Sequence, residues 1–378
     1  MKILVYSDNY PSGSSPLVGT FVYKFVQSAI KNGAEIKVIS PVTRRFSLKK
    51  TLPNQFYGNE LASVLRPKVW SFSSKWIFRW NTFNIYRVSK VKSLSKSLKN
   101  ENKFDALYCH FLSNALIAAE TNLNNSLPII AAVGEYRNID IIKSFYNKNL
   151  YEKLLRRING FIAVSEQVKI KLLSMGVSEK NIIVLPNATD RDIFRPLDKN
   201  SCREKFEIPT DKKVVLFIGR FIDNKGPLRL LEAVKRLNDP DVLVCFIGKG
   251  PEESLLISNQ IILKKALPYF EIPEIMSAAD LFVLPTLHEG SSNVLVEAMA
   301  CGLPIVSSDI PEVIAQCNDS FSILVDPMDI NQIKKAIDDI IYNEDKLADM
   351  KSKAILFSEK FDLDARTRKV LDFIKTVK

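Results

Sequence analysis

Short apolar runs of four to six residues alternate along this chain with longer stretches whose apolar positions recur every three or four residues. That alternation predicts strands separated by amphipathic helices. Lys2–Tyr6 is the first such strand. Phe21, Val22, Phe25, Val26, Ala29 and Ile30 then fall on one helical face that stops at Gly33, and Glu35–Ile39 is a second strand. Further strands are expected at Ala106–Tyr108, Ile129–Val133, Gly160–Val164 and Ile182–Leu185, with helices over Ser113–Leu123 and Glu166–Ser174. After Pro186-Asn187 a polar, proline-containing segment runs to about Pro209 and the pattern starts again. Strands are expected at Val214–Ile218, Val242–Ile247, Leu281–Leu284, Pro304–Val306 and Ser322–Val325. Between the first two, Pro227 suits the first position of a helix whose apolar stripe is Leu228, Leu231, Val234 and Leu237.

Strands alternating with helices from end to end predict α/β layers on parallel sheets. Two doubly wound domains are expected, over residues 1–190 and 191–360, and a last helix over 361–378 (Val370, Phe373, Ile374) that can cross back to the first. Open α/β sheets bind ligands outside the carboxyl ends of their strands. The expected site is therefore a cleft between the two sheets.

Composition narrows the class. With 378 residues, 46% hydrophobic and 25% charged, the chain reads as a soluble two-domain protein. No uncharged apolar run approaches the roughly 18 residues of a membrane span, and a cytoplasmic protein is expected. Cys109, Cys202, Cys245, Cys301 and Cys317 form no CxxC pair and have no histidine cluster nearby, so they read as buried thiols rather than disulfides or zinc ligands. No metal site is expected; the one DxD, Asp362-Leu363-Asp364, sits at a helix start where Asp is an ordinary cap. Charge is uneven: residues 1–190 hold 27 Lys and Arg against 12 Asp and Glu, and the remainder 26 against 30. Within residues 1–100 the ratio is 17 to 3, and the sector Arg66–Lys99 adds Trp70, Phe72, Trp76, Phe78, Trp80 and Phe83. Cations with interfacial tryptophans suit an anionic membrane surface; a solvated basic face over core aromatics is the other reading. No recognition module points to nucleic acid.

The candidate chemistry lies in the second half. His288-Glu289-Gly290-Ser291-Ser292-Asn293-Val294-Leu295-Val296-Glu297 follows the strand at Leu281 and opens a helix ending before Gly302. Gly290, Ser291, Ser292, Asn293 and Val294 leave the backbone N–H groups of that helix start open to an anion or a sugar hydroxyl. Glu289 in the turn and Glu297 one helical turn further on suit a ligand with two separate sets of hydroxyls. Gly219-Arg220-Phe221-Ile222-Asp223-Asn224-Lys225-Gly226 follows the strand Val214–Ile218, and its Arg220 and Lys225 can clamp a diphosphate from two directions. Gly248-Lys249-Gly250-Pro251 forms a turn at the same edge, able to border a base.

Taken together, the Glu289-to-Glu297 spacing, GRFIDNKG, GKGP, AADLFVLPT and PNATDRDIF resemble the retaining GT-B glycosyltransferases of glycosyltransferase family 4. The resemblance spans the chain and implies two Rossmann-like domains facing a central cleft, a nucleotide-sugar donor, and transfer without metal or other cofactor. It further implies Arg220 and Lys225 on the donor diphosphate, joined by Gly19 of the first domain. Glu289 with Gly290, Ser291, Ser292, Asn293 and Val294 would hold the donor sugar and Glu297 the ribose, while Lys249 is read as a base contact from its place in the glycine turn alone. Asp105-Ala106-Leu107-Tyr108-Cys109-His110 matches the segment whose final histidine, His110, lies beside the reacting carbon, and Glu289 and His110 are the expected catalytic pair. His288 is read as a support of the turn. The chain departs from the family where Val18-Gly19 replaces a common Gly-Gly pair and where Val133-Gly134-Glu135 lacks a histidine. Ala188 stands for the usual glycine after Asn187, and Lys249 for a common acidic residue. The expected acceptor is a glycan, lipid-linked in view of the basic first hundred residues. A small soluble acceptor, or a non-catalytic partner that binds sugar nucleotides, are the competing readings.

Overall fold

The computed structural model describes residues 1–12, 18–44, 62–70, 76–77, 80–98, 104–121, 127–134 and 138–377. Phe72, Phe78, Leu123 and Glu135 lie outside them. Two compact units form, Met1–Pro186 with Asp364–Lys378, and Asn187–Leu363.

Among the described residues the first unit contributes eleven strands in chain order. They are β1 (Lys2–Tyr6), β2 (Glu35–Ile39), β3 (Val42–Arg44), β4 (Ser63–Leu65), β5 (Lys68–Trp70) and β6 (Trp76–Ile77), followed by β7 (Trp80–Asn81), β8 (Ala106–His110), β9 (Ile129–Val133), β10 (Gly160–Ala163) and β11 (Ile182–Val184). Seven make a wholly parallel sheet in the order β11-β10-β9-β8-β1-β2-β4. Side chains alternate across it, so Leu4 and Tyr6 of β1 enter one core layer and Ile3 and Val5 the other. Both layers are covered, which is why these strands read as continuous apolar runs. The helix Leu363–Thr376 places Val370, Leu371, Phe373 and Ile374 in the layer of Ile3 and Val5. Val370 and Ile374 are fully buried, each worth about 1.5–3 kcal/mol of apolar burial.

The second unit holds one parallel sheet in the order β14-β13-β12-β15-β16-β17. Its strands are β12 (Lys213–Ile218), β13 (Val242–Ile247), β14 (Ile261–Lys265), β15 (Leu281–Leu284), β16 (Ile305–Ser308) and β17 (Ser322–Val325). The helix Pro227–Leu237 begins at Pro227 as its sequence predicts, and Asn293–Ala300 follows β15. All five cysteines are buried, and burial pushes the thiols of Cys245 and Cys317 up to about 12. Among the described residues no helix is long and apolar enough to cross a membrane.

One expectation changes, and the hydrophobic pattern leaves β14 and a helix of the first unit unread. β8 does not end at Tyr108 but runs through His110, which pairs with Ala132 of β9. β14 goes unread in the sequence because it is an edge strand, Ile261 to Lys264 only half-buried and Lys265 exposed. The sector Arg66–Lys99 contains the helix Phe83–Leu98, whose fully buried members are only Lys90 and Leu94. With so narrow an apolar seam it shows no helical stripe in the sequence.

Candidate active site

In the second unit the strand order reverses between β12 and β15, since β13 and β14 extend the sheet from one side of β12 and β15, β16 and β17 from the other. At such a switch point the turns leaving neighbouring strands diverge and open a crevice. The turn after β12 carries Arg220 and Lys225, and the turn after β15 carries Glu289.

These two turns are laced together by Asn224. Its carbonyl accepts from the Leu287 N–H (2.8 Å) and the Thr286 hydroxyl (3.0 Å), while its side-chain amide donates to the His288 carbonyl (3.3 Å). The lacing brings Lys225 Nζ to 2.5 Å from Glu289 Oε1, with side chains 19% and 8% exposed. Arg229 supports the first turn from below, donating to the Asp223 carboxylate and carbonyl and to the Pro285 carbonyl. Arg220 is exposed and, among the described residues, makes no ion pair. A paired lysine and an unpaired guanidinium on one turn leave net positive charge where an anion can enter.

The start of the helix Asn293–Ala300 is held from two sides. Asn187 donates its backbone N–H to Ser291 Oγ (3.0 Å) and its side-chain amide to the Ser291 carbonyl (2.8 Å). The buried Gln316 accepts the Ser292 N–H (2.7 Å) and donates to the Ser292 carbonyl (3.2 Å). Ser292 thus spends its N–H on Gln316. Its side chain caps nothing, so the first-turn N–H groups of the helix are left to a ligand. Glu297 lies one turn into this helix, partly exposed.

The glycine turn after β13 abuts the first of these turns. Gly248 has φ +151, and a Cβ there would stand 1.9 Å from the Gly219 carbonyl oxygen. The Lys249 carbonyl accepts the Phe221 N–H (3.0 Å), and the Lys249 side chain is exposed. Gly248→Ala is expected to cost the second unit about 2 kcal/mol or more and to displace Arg220. Its thermal unfolding, compared with that of the parent, measures this.

In the first unit Gly19 lies in the segment that follows β1, and His110 ends the neighbouring strand β8. Gly19 opens the helix Thr20–Lys31 at φ +77, and a Cβ would fall 2.2 Å from the Asn9 carbonyl oxygen, so only glycine fits. From the next position but one, Phe21 lays its ring 4.9 Å from the His110 imidazole. Phe111 packs on the imidazole from another side at 4.7 Å, with φ +76, a backbone strain commonly found beside functional groups. Below, Tyr108 Oη lies 3.5 Å from His110 Nδ1. The guanidinium of Arg366 donates to the carbonyls of Pro186 (2.6 Å) and Leu185 (3.3 Å) and bonds the Tyr108 hydroxyl. With Arg366 donating to the phenol oxygen, the phenol proton is free to point at Nδ1. Burial, helped by the Arg366 charge, pushes the imidazole down to about 3, so His110 is neutral at physiological pH. Burial likewise raises the Tyr108 phenol to about 12.

Lys225 and Glu289 are thus joined directly, Arg220 and Lys249 stand exposed on adjoining turns, and Gly19 and His110 share an edge of the first sheet. Sequence reading missed the residues that hold them. Asn224 and Asn187 lie inside quoted motifs and carry the ordinary signal of turn-forming asparagines. Gln316, Tyr108 and Arg366 act across long sequence separations with no local signal.

The two Rossmann-like units have solved counterparts among GT-B glycosyltransferases. Sucrose-phosphate synthase from Thermosynechococcus elongatus superposes with a TM-score of 0.80 at 16% identity, covering 100% of this chain and 98% of that one. Anabaena HepE in complex with UDP gives 0.73 at 15% identity, with both chains fully covered. By sequence, residues 18–193 match the model described as Glycosyltransferase Family 4 and residues 198–357 the model Glycosyl transferases group 1. The chain belongs to glycosyltransferase family 4, a family of GT-B fold. Among its relatives are the putative teichuronic acid biosynthesis glycosyltransferase TuaC of Bacillus subtilis and the D-inositol 3-phosphate glycosyltransferase of Mycolicibacterium smegmatis. TuaC is 24% identical over 89% of this chain and 88% of its own. The second is 30% identical over 57% of this chain and 49% of its own length.

Proposed function

We propose that this glycosyltransferase moves a sugar, with retained anomeric configuration and without a metal, from a nucleoside diphosphate sugar to a hydroxyl of a lipid-linked glycan. The setting proposed is surface polysaccharide biosynthesis at the inner face of the cell membrane. The observation that carries the reading is the Lys225–Glu289 pair at the β12/β15 switch point, beside the unpaired Arg220 and an uncapped helix start. An ammonium has three N–H donors, so Lys225 can keep Glu289 and still meet a phosphate oxygen. As the bond from the anomeric carbon to the diphosphate breaks, negative charge grows on the leaving phosphate. Arg220 and Lys225 are fixed cations that stabilise it, the task a metal performs elsewhere. The Glu289 carboxylate accepts hydrogen bonds from sugar hydroxyls, with the N–H groups of Asn293 and Val294 as donors from the helix start. Glu297 takes the ribose hydroxyls and Lys249 borders the base. His110, held neutral, can donate a hydrogen bond from its protonated ring nitrogen to a sugar or acceptor oxygen but does not supply a positive charge. The name of TuaC supports a polymer acceptor, and the UDP and UDP-glucose complexes of HepE support a nucleotide-sugar donor.

Thermal unfolding with UDP, GDP, ADP, dTDP and CMP tests the donor site. One nucleoside diphosphate at 100 times its dissociation constant is expected to add about 2.7 kcal/mol, and Glu297→Ala to remove most of that gain. No response to any of the five would remove the donor reading. The anomeric coupling constant of the first product, read by NMR, and transfer in the presence of EDTA decide retention and metal independence.

A further inference from the structure

We propose that a groove on the outer face of the first unit seats an anionic phospholipid of a bilayer, and so fixes which face of the enzyme meets the membrane. The groove measures about 1420 Å³ and lies between β5, the helix Phe83–Leu98 and the start of the helix Lys148–Leu155. Its walls hold three large apolar residues left in solvent: Leu65 at 38%, Trp70 at 43% and Val88 at 39% exposed. Its cations are Lys68, Arg87, Lys92 and Lys96, and none of the described lining residues is acidic. Arg87 is committed to Glu120 at 2.6 Å. Lys68, Lys92 and Lys96 are exposed and, among the described residues, have no carboxylate partner.

This chemistry selects the occupant. A soluble anion has no use for the apolar walls. A protein partner is disfavoured because lysines are depleted at protein interfaces, where arginine forks prevail. An acyl chain along Leu65, Ile85 and Val88, with its phosphate among the three lysines and Trp70 at the headgroup level, satisfies both halves of the groove.

The helix Phe83–Leu98 gives the groove a route to function. Val88, Lys92 and Lys96 lie on its outer face, and Tyr86, Lys90 and Leu94, two positions away, on the opposite one. From that inner face Lys90 reaches Asp8 (2.5 Å) and Asn114 (2.9 Å), and Tyr86 also bonds Asp8 (3.2 Å). Asn114 in turn donates to the His110 carbonyl (2.7 Å). One helix thickness, roughly 10 Å, therefore separates the groove from the strand ends that carry His110. Docking stands on the groove alone; its use, to present a lipid-linked acceptor to His110, rests on the function proposed above.

The test is co-sedimentation of the full chain with vesicles of phosphatidylcholine, with and without phosphatidylglycerol. The parent is expected to sediment only with the mixed vesicles. Lys92→Glu/Lys96→Glu should lower its partition coefficient at least about tenfold. Lys334→Glu/Lys335→Glu, with the same change in net charge on the second unit, should leave it unchanged. Trp70→Ala should weaken sedimentation with the mixed vesicles. Failure of the parent to sediment, equal sedimentation with both vesicle types, or equal losses from both double variants would overturn the proposal. The nucleotide-induced shift in unfolding temperature, measured on the same samples, separates the two readings. A normal shift without vesicle binding removes the groove and leaves the transferase; vesicle binding without any shift does the reverse.

Discussion

Lys225→Ala is expected to lower kcat/KM by about 10²–10³-fold, whereas its double variant with Glu289→Ala regains folded stability without regaining activity. In the proposed donor site Lys225 is one of two cations facing the leaving diphosphate, and removal of one fixed donor to a developing anion typically costs that factor. The stability effect has a separate cause. Glu289 is 8% exposed, and its Oε1 has Lys225 as ion-pair partner at 2.5 Å. Truncating the lysine leaves a nearly enclosed carboxylate without compensation. Fully buried pairs lose about 3–5 kcal/mol in this way, and about 2 kcal/mol is expected here because Lys225 itself is 19% exposed. Removing both charges deletes the desolvated group along with its partner, so the second unit should unfold near the parental temperature. A double-mutant cycle on stability and on kcat/KM checks both halves. If Glu289→Ala alone were as stable as the parent and fully active, neither the pair nor its place in the site would stand.

How much of this could be read beforehand differs by element. Most strands of the two large sheets were legible because strands covered on both faces are unbroken apolar runs, as in Val242–Ile247 and Ile129–Val133. The helix Glu166–Ser174 was legible to the residue because Ser165 caps it, accepting the Val168 N–H. The edge strand β14 and the helix Phe83–Leu98 were not, since neither buries a full apolar stripe. At the site, turns after strands were legible from Gly219, Gly248 and Gly290, and charge on them from Arg220, Lys225 and Glu289. That Lys225 and Glu289 touch was not, because the contact depends on Asn224 bridging 64 positions. Lys90 shows the limit of composition. It counts toward the basic excess, yet it is 2% exposed and neutralised by Asp8, so the usable surface charge is smaller than the sequence suggests.

The first unit is expected to lose stability as pH falls from 6.5, and His110→Gln to abolish most of that slope. His110 titrates at about 3 in the folded chain and near 6.5 when unfolded. Between those values the unfolded state binds a proton that the folded state refuses, so stability falls as pH falls, by up to about 1.4 kcal/mol per unit. Carboxylates held low in the folded state, Asp364 beside Lys31 and Ser28 among them, lose their contribution mainly below about pH 4, beneath the pH 4.5–8 range over which the slope is read. Three groups press on the imidazole: the Phe21 and Phe111 rings and the Arg366 charge acting past Tyr108. Arg366→Met therefore has two expected effects. It raises the folded pKa of His110 toward 6.5, which narrows the acid slope, and it strips hydrogen-bond donors from the Leu185 and Pro186 carbonyls, lowering stability at pH 8 by about 2 kcal/mol. Urea unfolding of parent, His110→Gln and Arg366→Met between pH 4.5 and 8 reads both. A parental slope that survives His110→Gln would show that the imidazole is not held neutral, and the hydrogen-bond-donor role proposed for it would fall with that result.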